Sequence, residues 1–224
     1  MSPEVLKRVI LALDTPDLGQ AQAWVQHYSA QVHAFKIGGA LVLRYGLGIV
    51  ETLRHDGAER IFLDLKFHDI PHVVQLAVRT AGEQGVWMLT LHTSGGEAMM
   101  RSAVEAVADL PNRPLLMGVT VLTSLGAEAL QTIGIPRTPR AQVLRMARQA
   151  HQCGLDGVIA SPLEIRLLRR HFPPPFLIVT PGIRPAQSDP GDQKRTATPE
   201  QALRAGADYL VMGRALLGQR EGLG

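Results

Sequence analysis

Short apolar runs punctuate the chain, and a longer stretch with helical spacing follows each one. The runs are VILALD (9–14), AFKIGG (34–39), IFLDLK (61–66), VWMLTLH (86–92), LLMGVTVL (115–122), GVIAS (157–161), FLIVTPG (176–182) and YLVMGR (209–214), eight in all. They are nearly continuous rather than alternating, as parallel strands buried on both faces are. Between them apolar residues recur at helical spacing, as with Val143, Leu144, Ala147 and Ala150 in 139–153. Thr or Ser before Pro marks helix starts at Thr15-Pro16, Thr138-Pro139, Ser161-Pro162 and Thr198-Pro199. The hydroxyl caps free N–H groups, and proline's fixed φ suits the first turn. Gly57, Gly85, Gly154 and Gly206 lie shortly before runs and predict helix stops. Eight strand–helix units in 224 residues, with no break in composition, predict an α/β fold: one (β/α)8 TIM barrel domain over 1–224. An open doubly wound sheet is the alternative. No G-x-G-x-x-G follows the first run, which weakens that alternative and dinucleotide binding with it.

Composition narrows the function classes. Hydrophobic residues make up 46% and charged residues 19%, which allows a large core and argues against disorder. The net charge is only +3 and no basic stripe interleaves with aromatics, so nucleic acid is not the expected partner. The pI of about 9.3 suits an anionic ligand. No apolar run approaches the ~18 residues of a membrane span, and the run ending at Asp14 is too short for a leader. The single cysteine, Cys153, excludes an internal disulfide and reads as a small helix-packing residue. A cytoplasmic protein is the expectation. Only Lys7, Lys36, Lys66 and Lys194 stand against nineteen arginines. Base composition or heat adaptation accounts for the bias, and Asn112 as the sole asparagine leans the same way. Arginine cannot replace lysine where a compact, tunable ammonium is needed, so the remaining lysines are candidates for such a role.

In a barrel the chemistry sits at the C-terminal ends of the strands. The first run ends at Asp14, the second carries Lys36, and the third carries Asp64 and Lys66, with Asp69 just beyond. Asp64 and Lys66 are two apart, so they share a face, and Leu63 and Leu65 take the other. Alone, that pair reads equally well as a structural ion pair. With Lys36, Asp69 and Asp14 it becomes an array of alternating charge, and such arrays cluster at active sites. A lysine flanked by carboxylates is held protonated, which makes it a poor Schiff-base nucleophile but a good proton donor or electrostatic stabiliser.

The other side of the mouth has a different character. TPGIRP ends the seventh run and MGRAL the eighth, and the loops after strands seven and eight form the usual phosphate site of this fold. Gly213 lets backbone N–H groups approach an anion, and Arg214 can fork onto phosphate oxygens. The long loop at 183–197 reads as a functional lid. His68 and His72 flank Asp69 at i, i+4 spacing, but no third ligand stands out and the lysines repel a cation, so no metal is expected. His92 ends the fourth run and is either a site residue or a satisfied barrel histidine. Met99, Met100 and Met146 read as core. Arg166, Arg169 and Arg170 read as a solvated helix face.

Taken together, DLKFHDIP (64–71), LALD (11–14), KIG (36–38), TVLTS (120–124), TPGIRP (180–185), GDQKR (191–195) and GADYLVMGR (206–214) resemble the bacterial-type orotidine 5′-phosphate decarboxylase family along nearly the whole chain. The D-x-K-x-x-D element is shared with sugar-phosphate enzymes of the same superfamily, whereas the PGIR, GDQKR and GR set is more specific. The resemblance implies a homodimeric (β/α)8 barrel that converts orotidine 5′-phosphate (OMP) to UMP and CO2 without metal or organic cofactor. It implies that Lys66 protonates C6 within a network of Lys36, Asp64, Lys66 and Asp69. Asp69 is then supplied across the dimer interface into shared active sites. It places Asp14 and Lys36 at the ribose, Thr123 near the pyrimidine, and Arg184, Gln193, Gly213 and Arg214 at the phosphate, with Gln193 on the closing loop.

Two departures stand out. The family usually reads D-I-P-N-T, whereas here Asp69-Ile70-Pro71 is followed by His72 and Val73, so a ribose-contacting hydroxyl is missing. GRPI becomes GRAL, which puts Ala215 where a proline is common. Two rivals are a metal-dependent sugar-phosphate decarboxylase or aldolase of the same superfamily, and a non-catalytic nucleotide-binding barrel.

Overall fold

Eight parallel strands hydrogen-bond in sequence order and close into a barrel in the computed structural model, which describes residues 1–184 and 197–217. They are β1 (Val9–Ala12), β2 (Ala34–Gly38), β3 (Ile61–Phe67), β4 (Met88–His92), β5 (Leu115–Val119), β6 (Gly157–Ile159), β7 (Leu177–Thr180) and β8 (Tyr209–Met212). Each falls within a run read from the sequence, except that β3 extends one residue further, to Phe67. β8 returns to pair with β1, Val9 opposite Leu210, so no sheet edge is left open. The expected (β/α)8 barrel is therefore the fold.

Alternation along the strands builds two cores. Ile10, Ala34, Phe62, Met88, Met117 and Val179 fill the barrel axis. Leu11, Ile37, Leu63 and Leu89 point outward and pack under the helices with Met99, Met100, Met146 and Cys153. Apolar residues are needed on both faces, which is why the runs are nearly continuous. At the N-terminal mouth, His33 packs tilted against Tyr209 at 4.5 Å and edge-on against Trp87 at 5.0 Å, and Trp87 meets Tyr209 edge-on at 5.3 Å. Burial and the charges of Arg60 and Arg8 push His33 down to about pKa 4, so this seal is neutral at pH 7.

Local signals explain most helix boundaries. Thr138 caps the helix Pro139–Gln152 through Ala141 N–H, and Thr198 with Gln201 forms a reciprocal capping box on Pro199–Ala205. Ser161 caps a short 3-10 turn at Pro162–Glu164. Gly57, Gly85, Gly154 and Gly206 all have positive φ after helices, as expected.

Two expectations need correction. The helix expected from Thr15-Pro16 starts at Leu18, because Asp17 is the cap and accepts from Gln20 N–H, while Thr15 Oγ1 serves Asp17 N–H in a turn. Arg169 is not part of a solvated face. Its guanidinium donates to the carbonyls of Gly206, Phe172 and Phe176 and pairs with Asp208. It ties the helix Ile165–His171 to the turns before β7 and β8.

Candidate active site

The interior positions at the C-terminal ends of β1, β2 and β3 change from apolar to charged. Ile10 and Ala12 lead to Asp14, Ala34 to Lys36, and Phe62 to Asp64 and Lys66. The parallel register sets Lys36 beside Ala12 and Phe62, and Asp64 beside Gly38. Neighbouring strands therefore bring residues from three separated segments to one level. Lys36 Nζ lies 2.9 Å from Asp14 Oδ1 and 3.5 Å from Asp64 Oδ2. Lys66 Nζ lies 2.8 Å and 2.9 Å from the two Asp64 oxygens. Asp14, Lys36, Asp64 and Lys66 thus form an unbroken chain of alternating sign.

Burial sets the character of this chain. The Lys36 side chain is 10% exposed and Asp64 13%, whereas Asp14 is 64% exposed. Burial opposes the charge on Lys36, but Asp64 and Asp14 outweigh it and hold its pKa above the usual lysine value. Burial likewise opposes the charge on Asp64, and Lys36, Lys66 and two side-chain hydrogen bonds outweigh it, so its carboxyl sits below the usual range. Both groups are charged at neutral pH because each has its partner. The arrangement is a fixed field rather than a proton-sharing pair.

The chain lines one wall of a cavity of about 320 Å3 at the C-terminal mouth. Thr123, Arg184, Gly213 and Arg214 line the same cavity, and Phe62, Val119, Ile159 and Val211 form its apolar floor. The short helix Arg214–Leu217 begins directly after Gly213, and Gly213 O accepts from Leu216 and Leu217 N–H. Ile183 bridges to Ala197, and Arg184 N–H donates to Ala197 O at 3.0 Å, so the two stems of the expected 183–197 lid are joined. Its middle, including Gln193, lies outside the described residues.

Asp69 is not brought to the array within one chain. It is exposed, and its Oδ1 accepts from Ile70 N–H at 2.7 Å. Ile70 is 64% exposed, with Val73 and Leu76 exposed beside it on the helix Pro71–Glu83. His92 stacks on His68 with ring centroids 5.1 Å apart. Burial, His68 and Lys66 lower its pKa, which favours the neutral ring. His72 lies in the first turn of its helix while His68 is still in the loop. Among the described residues no group of three or more His, Cys, Asp or Glu is placed to hold a metal ion.

Sequence reading missed Thr90. Its hydroxyl donates to Asp64 Oδ1 and accepts from Lys66 N–H, both at 2.9 Å. The available clue was a hydroxyl on the same strand face as Met88 and His92, within an otherwise apolar run.

The family model described as orotidine 5′-phosphate decarboxylase / HUMPS family matches residues 7–222. The chain belongs to the orotidine 5′-phosphate decarboxylase family. An orotidine 5′-phosphate decarboxylase of Hydrogenovibrio crunogenus is 47% identical over 209 residues, 93% of this chain and 88% of that protein. One from Dichelobacter nodosus is 48% identical over 208 residues, covering 93% and 90%. The crystal structure of orotidine 5′-phosphate decarboxylase from Lactobacillus acidophilus superposes with a TM-score of 0.80 at 33% identity, covering 93% and 90%. The curated relatives carry the decarboxylase name, while the description of the family model also takes in HUMPS proteins.

Proposed function

We propose that the orotidine 5′-phosphate decarboxylase activity of this family member is carried by the Asp14–Lys36–Asp64–Lys66 chain, with Lys66 as proton donor to C6. The observation that carries this reading is the continuity of that chain along one wall of a cavity that Gly213 and Arg214 also line. Arg184, Gly213 and Arg214, with Gln193 from the loop, hold the phosphate. Asp14 and Lys36 hold the ribose, and Thr123 sits near the pyrimidine. Breaking the C6–carboxylate bond leaves an electron pair in the ring plane, where the π system cannot delocalise it. The Lys66 ammonium stabilises that localised charge and then transfers its proton to form the C6–H bond. Neutral Lys66 regains a proton from solvent. Asp64 faces the substrate carboxylate and disfavours it relative to CO2. Binding energy gathered at the distant phosphate offsets that repulsion. The mechanism calls on no metal or organic cofactor.

The second element of the proposal is a homodimer with shared sites. A second copy would cover Ile70, Val73 and Leu76, and the adjoining Asp69 would enter the partner's cavity. An exposed apolar strip beside an exposed carboxylate that does not line its own chain's cavity supports this reading. Val73 offers no hydroxyl there. Action on a soluble nucleotide suits the cytoplasm, and no helix among the described residues is long and apolar enough to cross a membrane.

An absorbance assay of OMP loss, with and without chelator, tests the reading. Lys66→Ala should leave only a small residual turnover while UMP still binds. Near-normal turnover in that variant, or loss of wild-type activity on chelation, would sink it. Mixing Asp69→Ala with Lys66→Ala should restore part of the activity, because hybrid dimers carry one intact site. No recovery under proven subunit exchange counts against the shared site.

A further inference from the structure

β3 and β4 stay in step only as far as the Leu63–Leu89 pair. The next pair is Phe67 with Leu91, so β3 advances four residues while β4 advances two. Within that slip Lys66 adopts φ +51°, the one described non-glycine residue with positive φ. A lysine in the left-handed region costs on the order of 1 kcal/mol or more and persists only where its surroundings hold it. The Lys66 N–H is out of the ladder and needs another acceptor, which Thr90 Oγ1 supplies at 2.9 Å. The same hydroxyl spends its only proton on Asp64 Oδ1 at 2.9 Å. Asp64 Oδ1 in turn accepts from Lys66 Nζ at 2.8 Å. The three residues close a ring that holds Lys66 at both ends, backbone and ammonium. Thr90 is fully buried, so its two bonds are shielded from exchange with bulk water. It does not line the cavity and acts on the substrate only through its neighbours.

We propose that Thr90 is a positioning residue for decarboxylation: its hydroxyl holds the strained Lys66 backbone and fixes the Asp64 carboxylate, so that the Lys66 ammonium is aimed at the reacting carbon. This rests on the reading of Lys66 as proton donor. Thr90→Val keeps the shape and removes both bonds, leaving a buried N–H and one carboxylate lone pair unmet. Turnover should fall by about 10- to 100-fold, the scale of a displacement near 1 Å at a reacting group. UMP affinity should stay within about threefold, because no ligand contact is touched. Thr90→Ser keeps the hydroxyl and should retain turnover within about threefold.

The deciding comparison adds Lys66→Ala. If Thr90 acts through Lys66, Thr90→Val has no further effect on the residual rate in the Lys66→Ala background. Wild-type turnover in Thr90→Val, equal losses in the Val and Ser variants, or a loss shared equally between kcat and UMP affinity would overturn the proposal. So would failure of both Thr90→Val and Thr90→Ala to fold, since Thr90 would then serve folding. Near-normal turnover in Lys66→Ala would instead refute the donor assignment, a separate failure from that of Thr90.

Discussion

Asp64→Asn is the sharpest test of the charge chain, because it changes one charge and almost no volume. Asp64 carries two short bonds from Lys66, one from Thr90 and an ion pair with Lys36, from a side chain only 13% exposed. An amide keeps one acceptor but turns an NH2 group toward an ammonium. Lys36 is left buried with Asp14 alone. Breaking a buried pair on one side costs about 3–5 kcal/mol, because the surviving charge stays desolvated. Domain stabilities run to about 5–15 kcal/mol, so the variant should remain folded with a lower urea midpoint. The group is buried, so the loss should persist when salt rises from about 0.05 M to 0.5 M. It should also shrink in acid. Asp64 has a depressed pKa, so its contribution is complete above the ordinary aspartate value and is lost as pH falls through the lower folded value. The variant never has that contribution, and the two unfolding curves should converge below about pH 4. Turnover should collapse while OMP affinity is retained or improved, since the repulsion of the substrate carboxylate is gone. A stability loss under about 1 kcal/mol, or one abolished by salt, would mean that the chain behaves as a solvated surface cluster.

Three further outcomes follow from other parts of the molecule. Gly213→Ala should fold normally, since the nearest atom to an added Cβ is Ala12 Cβ at 3.4 Å, but should weaken UMP binding about tenfold in calorimetry because the methyl approaches Asp14 at the cavity wall. His33 sits near pKa 4 against 6.5 when free, so its neutral seal contributes fully above about pH 6.5 and is lost progressively down to pH 4. His33→Phe should flatten up to about 3 kcal/mol of that slope in urea titrations, and an unchanged slope would refute the assignment. Thr180 Oγ1 is buried with no hydrogen-bond partner among the described residues, so Thr180→Val should be neutral or raise stability by up to about 1 kcal/mol, and a marked drop in Tm would contradict it.

The sequence made the barrel legible because burial on both faces imposes continuous apolar runs, and it made Asp64 and Lys66 legible because strand alternation fixes their common face. The positive φ of Lys66 was not legible. It depends on a register slip against β4 and on an acceptor twenty-four residues away at Thr90, and neither leaves a periodic trace. Arg169 was misread for a similar reason: helical spacing places it on the helix surface, but only the fold brings the carbonyls of Phe172, Phe176 and Gly206 around it. Thr15-Pro16 carried a true capping pattern and lost to Asp17, whose carboxylate is the stronger cap two residues on. Asp69 is exposed and bonds to Ile70 N–H rather than to the array, and its expected role at a shared site belongs to the proposed dimer.

The packed His33, Trp87 and Tyr209 rings, with the apolar side chains above them, make the reaction chamber blind-ended. CO2 formed at C6 cannot drain along the barrel axis and must leave by the mouth through which the nucleotide entered. Under the mechanism proposed above, it competes until then with the Lys66 proton for the same electron pair on C6. Turnover is therefore a race between protonation and recapture, and a donor held ready beside C6 favours protonation. Labelled CO2 should enter residual OMP faster in a variant with a displaced Lys66 than in the wild type.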